Sequence, residues 1–230
     1  MRDKLSFSAN QVARKLGAGA TIWVNPDKIV WDVANIRSRR PKNVGVLLDY
    51  FGLITKTSKN RNMFYRNRFI ISDEDFVIRE KFADSDKFRI VSDYVANSDD
   101  YKKSIWYGNL LSDFSDNGTA RYKNMIFASK GEVESFFENY LAPIRDSMGS
   151  SGYDPNIAGD LCKCYLSRNG ELMKGENGRH RLAFAKALGI ERFPLTIFGA
   201  HEDWFSENIG DEMDFSKLRG AIRNLESQNR

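Results

Sequence analysis

What the 230-residue chain has little of narrows its class first. Its two cysteines, Cys162 and Cys164, cannot staple a secreted disulfide scaffold. No apolar run approaches the ~20 residues of a membrane-spanning helix, so no membrane partner is expected. The stretch Met1 to Gln11 is polar and lacks the apolar core of a secretory signal, which predicts a cytoplasmic protein. There is no low-complexity tract and no internal repeat. With 13% aromatic residues the chain is too rich in large side chains to be disordered. A chain this long buries roughly 70% of its unfolded surface without a disulfide or a metal to help it. Its two histidines, His180 and His201, show no metal-ligand spacing, and no metal site is expected.

The net charge of +4 is small but unevenly spread. From Arg37 to Arg68 there are nine basic residues against one acid, a local +8 that leaves −4 for the rest. Tyr50, Phe51, Phe64 and Tyr65 are interleaved with those cations. Phosphate pairing and base stacking make that combination suited to single-stranded nucleic acid, with Arg61, Arg66 and Arg68 as contacts. A solvated loop, or contact with another polyanion, fits the same residues.

Element signals are clearest at the two ends. Ser8 with Gln11 forms a capping-box pattern, and Phe7 with Val12 a hydrophobic staple. Thr21 to Val24, Lys28 to Val33 and Phe69 to Ile71 read as strands, with an Asn25-Pro26-Asp27 turn between the first two. Residues 72–124 resist organisation. Ser129 with Glu132 opens a helix whose apolar residues run from Val133 to Met148, and Pro143 should kink it. Leu161 to Leu166 and Glu171 to Met173 flank an Asn169-Gly170 hairpin turn. A helix is predicted from Arg179 to Leu188, a strand from Leu195 to Phe198, and a last helix capped by Asp214.

The chemistry concentrates at Glu176-Asn177-Gly178-Arg179-His180-Arg181. A glycine lets backbone approach a ligand closely. The helix that follows presents unpaired N–H groups and the positive end of its dipole, a ready anion site. Three cationic or potentially cationic residues in its first turn oppose that dipole. A bound phosphate would offset the repulsion; solvation, or pairing with Glu176 and other acids, would also do so.

Asn177-Gly178-Arg179-His180-Arg181-Leu182-Ala183, followed by Leu188-Gly189 and Pro194-Leu195, resembles the ParB/sulfiredoxin superfamily. The likeness is strongest from Leu161 to Trp204 and extends loosely back to Ser129, through Tyr140 to Ile144 and Gly152-Tyr153. The chain is also similar to a group of ParB-like proteins in which His-x-x-Trp follows the last strand, as His201 and Trp204 do here. Sulfiredoxins carry a nucleophilic cysteine where this chain has Arg179. ParB partition proteins carry Gly-Glu-Arg-Arg, from which Arg179 and His180 depart. The free-amino-acid kinases of the superfamily, with Asp-Gly-His-His-Arg, come closest, differing at Asn177 and Arg179.

The resemblance implies an α+β fold: a ParB/sulfiredoxin-like mixed sheet with flanking helices over residues 126–230, and an N-terminal α/β extension over 1–125 packed on it. It implies nucleotide binding, with ATP, ADP or CTP as the ligand and magnesium as a companion. Asn177, Gly178, Arg179, His180 and Arg181 would bind phosphate, and His180 and Glu176 would be catalytic. The reaction would be phosphoryl transfer to a small hydroxylated acceptor, or nucleotide hydrolysis. Asp27 and Asp32 are further candidates for a general base, and His201 and Trp204 would support the site from behind. Two other readings stand beside this one: a nucleic-acid-binding module or nuclease using Arg37 to Arg68, and a catalytically silent structural or assembly protein, since Asn177 replaces an acid.

Overall fold

The computed structural model describes residues 7–33, 68–73, 76–154, 161–175 and 177–230. Helix α1 (Ala9–Leu16) starts where expected: the Ser8 hydroxyl accepts from the Gln11 N–H at 3.3 Å, and the Gln11 side-chain Oε1 accepts from the Ser8 N–H at 2.8 Å. Strands β1 (Thr21–Val24) and β2 (Trp31–Val33) follow, separated by a 3-10 turn at Pro26–Lys28 that Asn25 caps. The basic window, with Arg61 and Arg66, lies outside the described residues except for Arg68, an exposed side chain whose backbone bridges Ser8.

Beyond the window come β3 (Ile70–Ile71), β4 (Ile78–Lys81), α2 (Asp86–Ala96), α3 (Ile105–Asn117) and the hairpin β5 (Ala120–Tyr122) and β6 (Met125–Phe127). Helix α4 (Lys130–Phe136) is capped by Ser129, as its sequence predicts. The expected kink takes a specific form. A π-turn at Phe137–Leu141 absorbs the break, and α5 (Ala142–Ser151) restarts with Pro143 in its first turn, where a missing N–H costs nothing.

The remaining elements are β7 (Cys162–Leu166), β8 (Leu172–Lys174), α6 (Arg179–Ala187), β9 (Phe193–His201), α7 (Glu202–Asn208) and α8 (Phe215–Gln228). β9 runs past both ends of the expected Leu195 to Phe198. β1 pairs with its start, from Phe193, and β3 pairs with Ala200 and His201 at its end.

Among the described residues one sheet has the order β1-β9-β7-β8-β2-β4, with β3 also on β9. It is mixed: β1–β9, β7–β8 and β2–β4 are antiparallel, while β7–β9, β2–β8 and β3–β9 are parallel. The fold is therefore mixed α+β, and strands from the first 33 residues sit in the same sheet as those after residue 160.

Register sets the chemistry of each face. Ile197, Cys164, Lys174 and Asp32 stand opposite one another across β9, β7, β8 and β2, in one row on one face. That face carries the main core and is covered by α6, whose Phe184 meets Tyr94 of α2 edge-on at 6.0 Å between ring centroids. Tyr165, Met173, Val33 and Phe198 belong to a smaller cluster with Ile71 and Ala9.

Candidate functional site

Gly178 shapes the entrance of α6. Its φ of 83° is the left-handed conformation that glycine reaches without penalty, and its carbonyl accepts from the Leu182 N–H. A Cβ at this position would lie 2.1 Å from the Cys162 Sγ. The turn is therefore pressed directly onto β7, with the Cys162 thiol donating to the Gly178 carbonyl at 3.3 Å.

Lys174 holds the same turn from below. Its side chain is fully buried, and its ammonium donates to the carbonyls of Lys163 at 3.1 Å, of Gly175 at 2.7 Å, and of Asn177. Burial pulls its pKa down to about 8, against support from the cysteines and Asp32. Cys162 and Cys164 are both buried and in no disulfide, and burial pushes the Cys164 thiol up to about 12, far from a reactive thiolate.

The three residues of the cationic cluster point to different places. Arg179 turns inward, its Nη2 lying 2.6 Å from Oδ2 of the fully buried Asp32. Distance makes this an ion pair. Direction does not make it a hydrogen bond, because among the described residues neither carboxylate oxygen, nor Nε or Nη2 of Arg179, has an aligned partner. His180 stacks on Trp106 at 5.8 Å between centroids and meets Tyr122 edge-on at 5.4 Å. Burial, reinforced by Lys87 and Lys123, pushes its pKa down to about 4, so it is neutral at pH 7. Arg181 donates to the Tyr153 hydroxyl at 3.1 Å.

His180 and Arg181 both line a cavity of about 560 Å³ above the start of α6. Its apolar and aromatic lining includes Tyr122, Tyr140, Leu141, Pro143, Ile144 and Phe184. The polar groups are Lys123, Asn139, Ser147, Tyr153, Asp154, His180 and Arg181. Lys123 sits at the tip of the β5–β6 hairpin with a φ of 54°, an unusual conformation for a lysine. A largely apolar hollow that also holds a few polar and charged groups is the form a small-molecule site takes.

Glu176 is outside the described residues, and the remaining sequence candidates lie apart from the cavity. Asp27 is an exposed partner of Lys186 at 3.4 Å. His201 is buried, and its Nδ1 accepts from the Asp203 N–H at 3.1 Å, capping α7. The proton is thereby placed on Nε2, which donates to Asp73 at 3.1 Å. Trp204 is buried against the Asn169-Gly170 turn. Neither His201 nor Trp204 lines the cavity. The sequence reading missed Lys123 and Asp154 altogether. The Lys123-Asn124 dipeptide between two short β-rich runs is the only signal that marked the first.

Comparison with protein-family models, with curated proteins and with solved structures returned no match. The class that the geometry itself defines is a mixed α+β protein with a cavity at the glycine-started helix.

Proposed function

We propose that the chain binds a nucleotide in the cavity above α6. The observation that carries this reading is a hollow at the start of α6 lined by Arg181, Lys123 and His180 together with the rings of Tyr122 and Tyr140. Arg181 supplies a planar, permanently charged fork suited to phosphate. The helix start adds a favourable dipole. Tyr122 and Tyr140 offer ring faces and edges for a planar base. The resemblance of Asn177 to Arg181 to the kinase form of the ParB/sulfiredoxin motif supports the same reading.

The chemistry suited to such a site is transfer of the terminal phosphoryl group to a small hydroxylated acceptor, or hydrolysis, which needs positioning and charge stabilisation above all. Asp154 is the carboxylate among the described lining residues that could take the acceptor's proton. Magnesium would arrive with the nucleotide, held by its phosphates and by Asp154. Neutral His180 would donate or accept one hydrogen bond without adding charge.

Isothermal titration with ATP, ADP and CTP tests the proposal. Binding is expected, and Arg181→Ala should weaken it about 10- to 100-fold, the worth of a hydrogen bond to a charged group. An absence of binding to wild-type protein at millimolar nucleotide sinks the reading and favours a structural role.

A further inference from the structure

Arg179 is the member of the cluster that does not reach the cavity, and its departure has a geometric consequence. Successive residues on an α-helix are rotated by about 100°. Once Arg179 is fixed toward the sheet, His180 and Arg181 are necessarily turned away from it, toward the hollow.

We propose that Asp32, a residue of β2 remote in sequence from the motif, is the positioning residue of the α6 entrance, which it orients by drawing Arg179 inward. Its bearing on ligand binding rests on the nucleotide reading above; its bearing on the helix does not. Asp32 stands opposite Lys174 in the β2–β8 register, and Lys174 ties down the carbonyls of Gly175 and Asn177. The loop and the first helical turn are thus referred to neighbouring points in one cross-strand row.

Stability alone does not account for the pair. A buried ion pair offsets its desolvation only when its geometry is good and its remaining hydrogen bonds are made. Here Asp32 is wholly buried and its oxygens lack aligned donors among the described residues. Burial raises its pKa in spite of the lowering by Arg179, Arg79 and Lys174. What the pair supplies is direction. Without it, Arg179 has no charged target in the core among the described residues, and the first turn of α6 loses the contact that sets where Arg179 points, while Leu182, Ala183 and Phe184 hold the rest of the helix by packing.

The protein has only two histidines, and this allows a test without any ligand. His180 is marked by the rings of Trp106 and Tyr122 and by a pKa of about 4, with Lys87 and Lys123 facing it. His201, outside the cavity on β9, is the control. Imidazole resonances are followed by NMR through a pH titration in wild type, Arg179→Lys and Arg179→Met. Arg179→Lys keeps the charge pair and is expected to keep the His180 shift and titration. Arg179→Met should move the His180 signal toward free imidazole and raise its titration toward the ordinary 6.5, with His201 unmoved. The double variant Asp32→Asn/Arg179→Met should hold the wild-type Tm within a few degrees, yet show the same displaced His180.

If Arg179→Met, or the double variant, folds with His180 unchanged, Asp32 merely stabilises and the proposal fails. Lys and Met behaving alike overturns it too. Nucleotide titration then separates the two proposals. A roughly tenfold weaker Kd in the folded double variant supports both. Wild-type protein that binds no nucleotide removes the functional reading and leaves the NMR result to decide this one.

Discussion

At the scale of single residues, Gly178 and Gly189 make a controlled comparison. Both have left-handed backbone, φ 83° and 65°, but a Cβ at Gly189 would meet nothing within 4 Å, whereas one at Gly178 would collide with Cys162. Gly189→Ala should therefore cost only the backbone term, roughly 1–2 kcal/mol. Gly178→Ala adds overpacking against β7 and should cost on the order of 3 kcal/mol or more by urea denaturation. Lys174 gives a second residue-scale prediction. Its pKa is about 8 in the folded chain against the ordinary 10.5 of a lysine, so between those pH values the unfolded chain binds more protons and stability rises with pH. The advantage of wild type over Lys174→Met should grow by roughly 1.4 kcal/mol per pH unit from pH 8 toward pH 10, with the variant cancelling the titration of tyrosines and of Cys164. The motif was legible in sequence because a glycine before a cationic helix start is a local pattern. The inward course of Arg179 was not. It depends on Asp32, some 147 positions earlier, arriving beside Lys174 through strand pairing, and nothing local announces that register.

At the scale of elements, legibility followed the caps. The helices that begin with Ser-x-x-Gln or Ser-x-x-Glu, α1 and α4, were readable from four residues each, although in α4 the Glu132 carboxylate accepts from the Ala128 N–H and not from that of Ser129. Helices α2 and α3 begin equally well, with the Ser85 and Ser104 hydroxyls accepting from the N–H groups of Phe88 and Tyr107, both at 3.3 Å. Their third helical positions are aromatic, so half of the capping-box signature is missing. The edge strand β4, Ile-Arg-Glu-Lys, is mostly exposed and shows no apolar alternation. These are the features that hid residues 72–124. Each serine also donates back to the carbonyl of the preceding 3-10 turn, Ser85 to Phe82 and Ser104 to Tyr101, both at 2.6 Å. A removed hydroxyl therefore frees a helix start and a turn together. Ser85→Ala should cost about 1–2 kcal/mol, at the upper end for a cap, measured as a shift of the urea midpoint at unchanged slope. Because α2 packs on α6 through Tyr94 and Phe184, that loss should reach the start of α6 and the cavity beside it.

At the scale of the whole molecule, the strands that flank the motif have neighbours from the far end of the chain. β9 is paired along its first four residues by β1, and β8 lies between β7 and β2. The same large apolar cluster includes Val12, Ile22, Tyr94, Phe184 and Leu225, so residues near both termini share one core. A fragment of residues 126–230 would expose the edges of β8 and β9 that β2 and β1 cover. It would leave Arg179 without Asp32, Phe184 without Tyr94, and His180 without Trp106 and Tyr122. Unpaired buried edges and an uncompensated buried guanidinium are costly together. The fragment is expected to lack a cooperative transition. The full chain is expected to unfold in one step, with far-UV circular dichroism and tryptophan fluorescence coinciding. The four tryptophans sample the question well, since Trp23 and Trp31 lie on β1 and β2, Trp106 on α3 and Trp204 on α7. Two separated transitions in the full chain, or a fragment with a sharp midpoint of its own, would show that the sheet divides where its register says it does not.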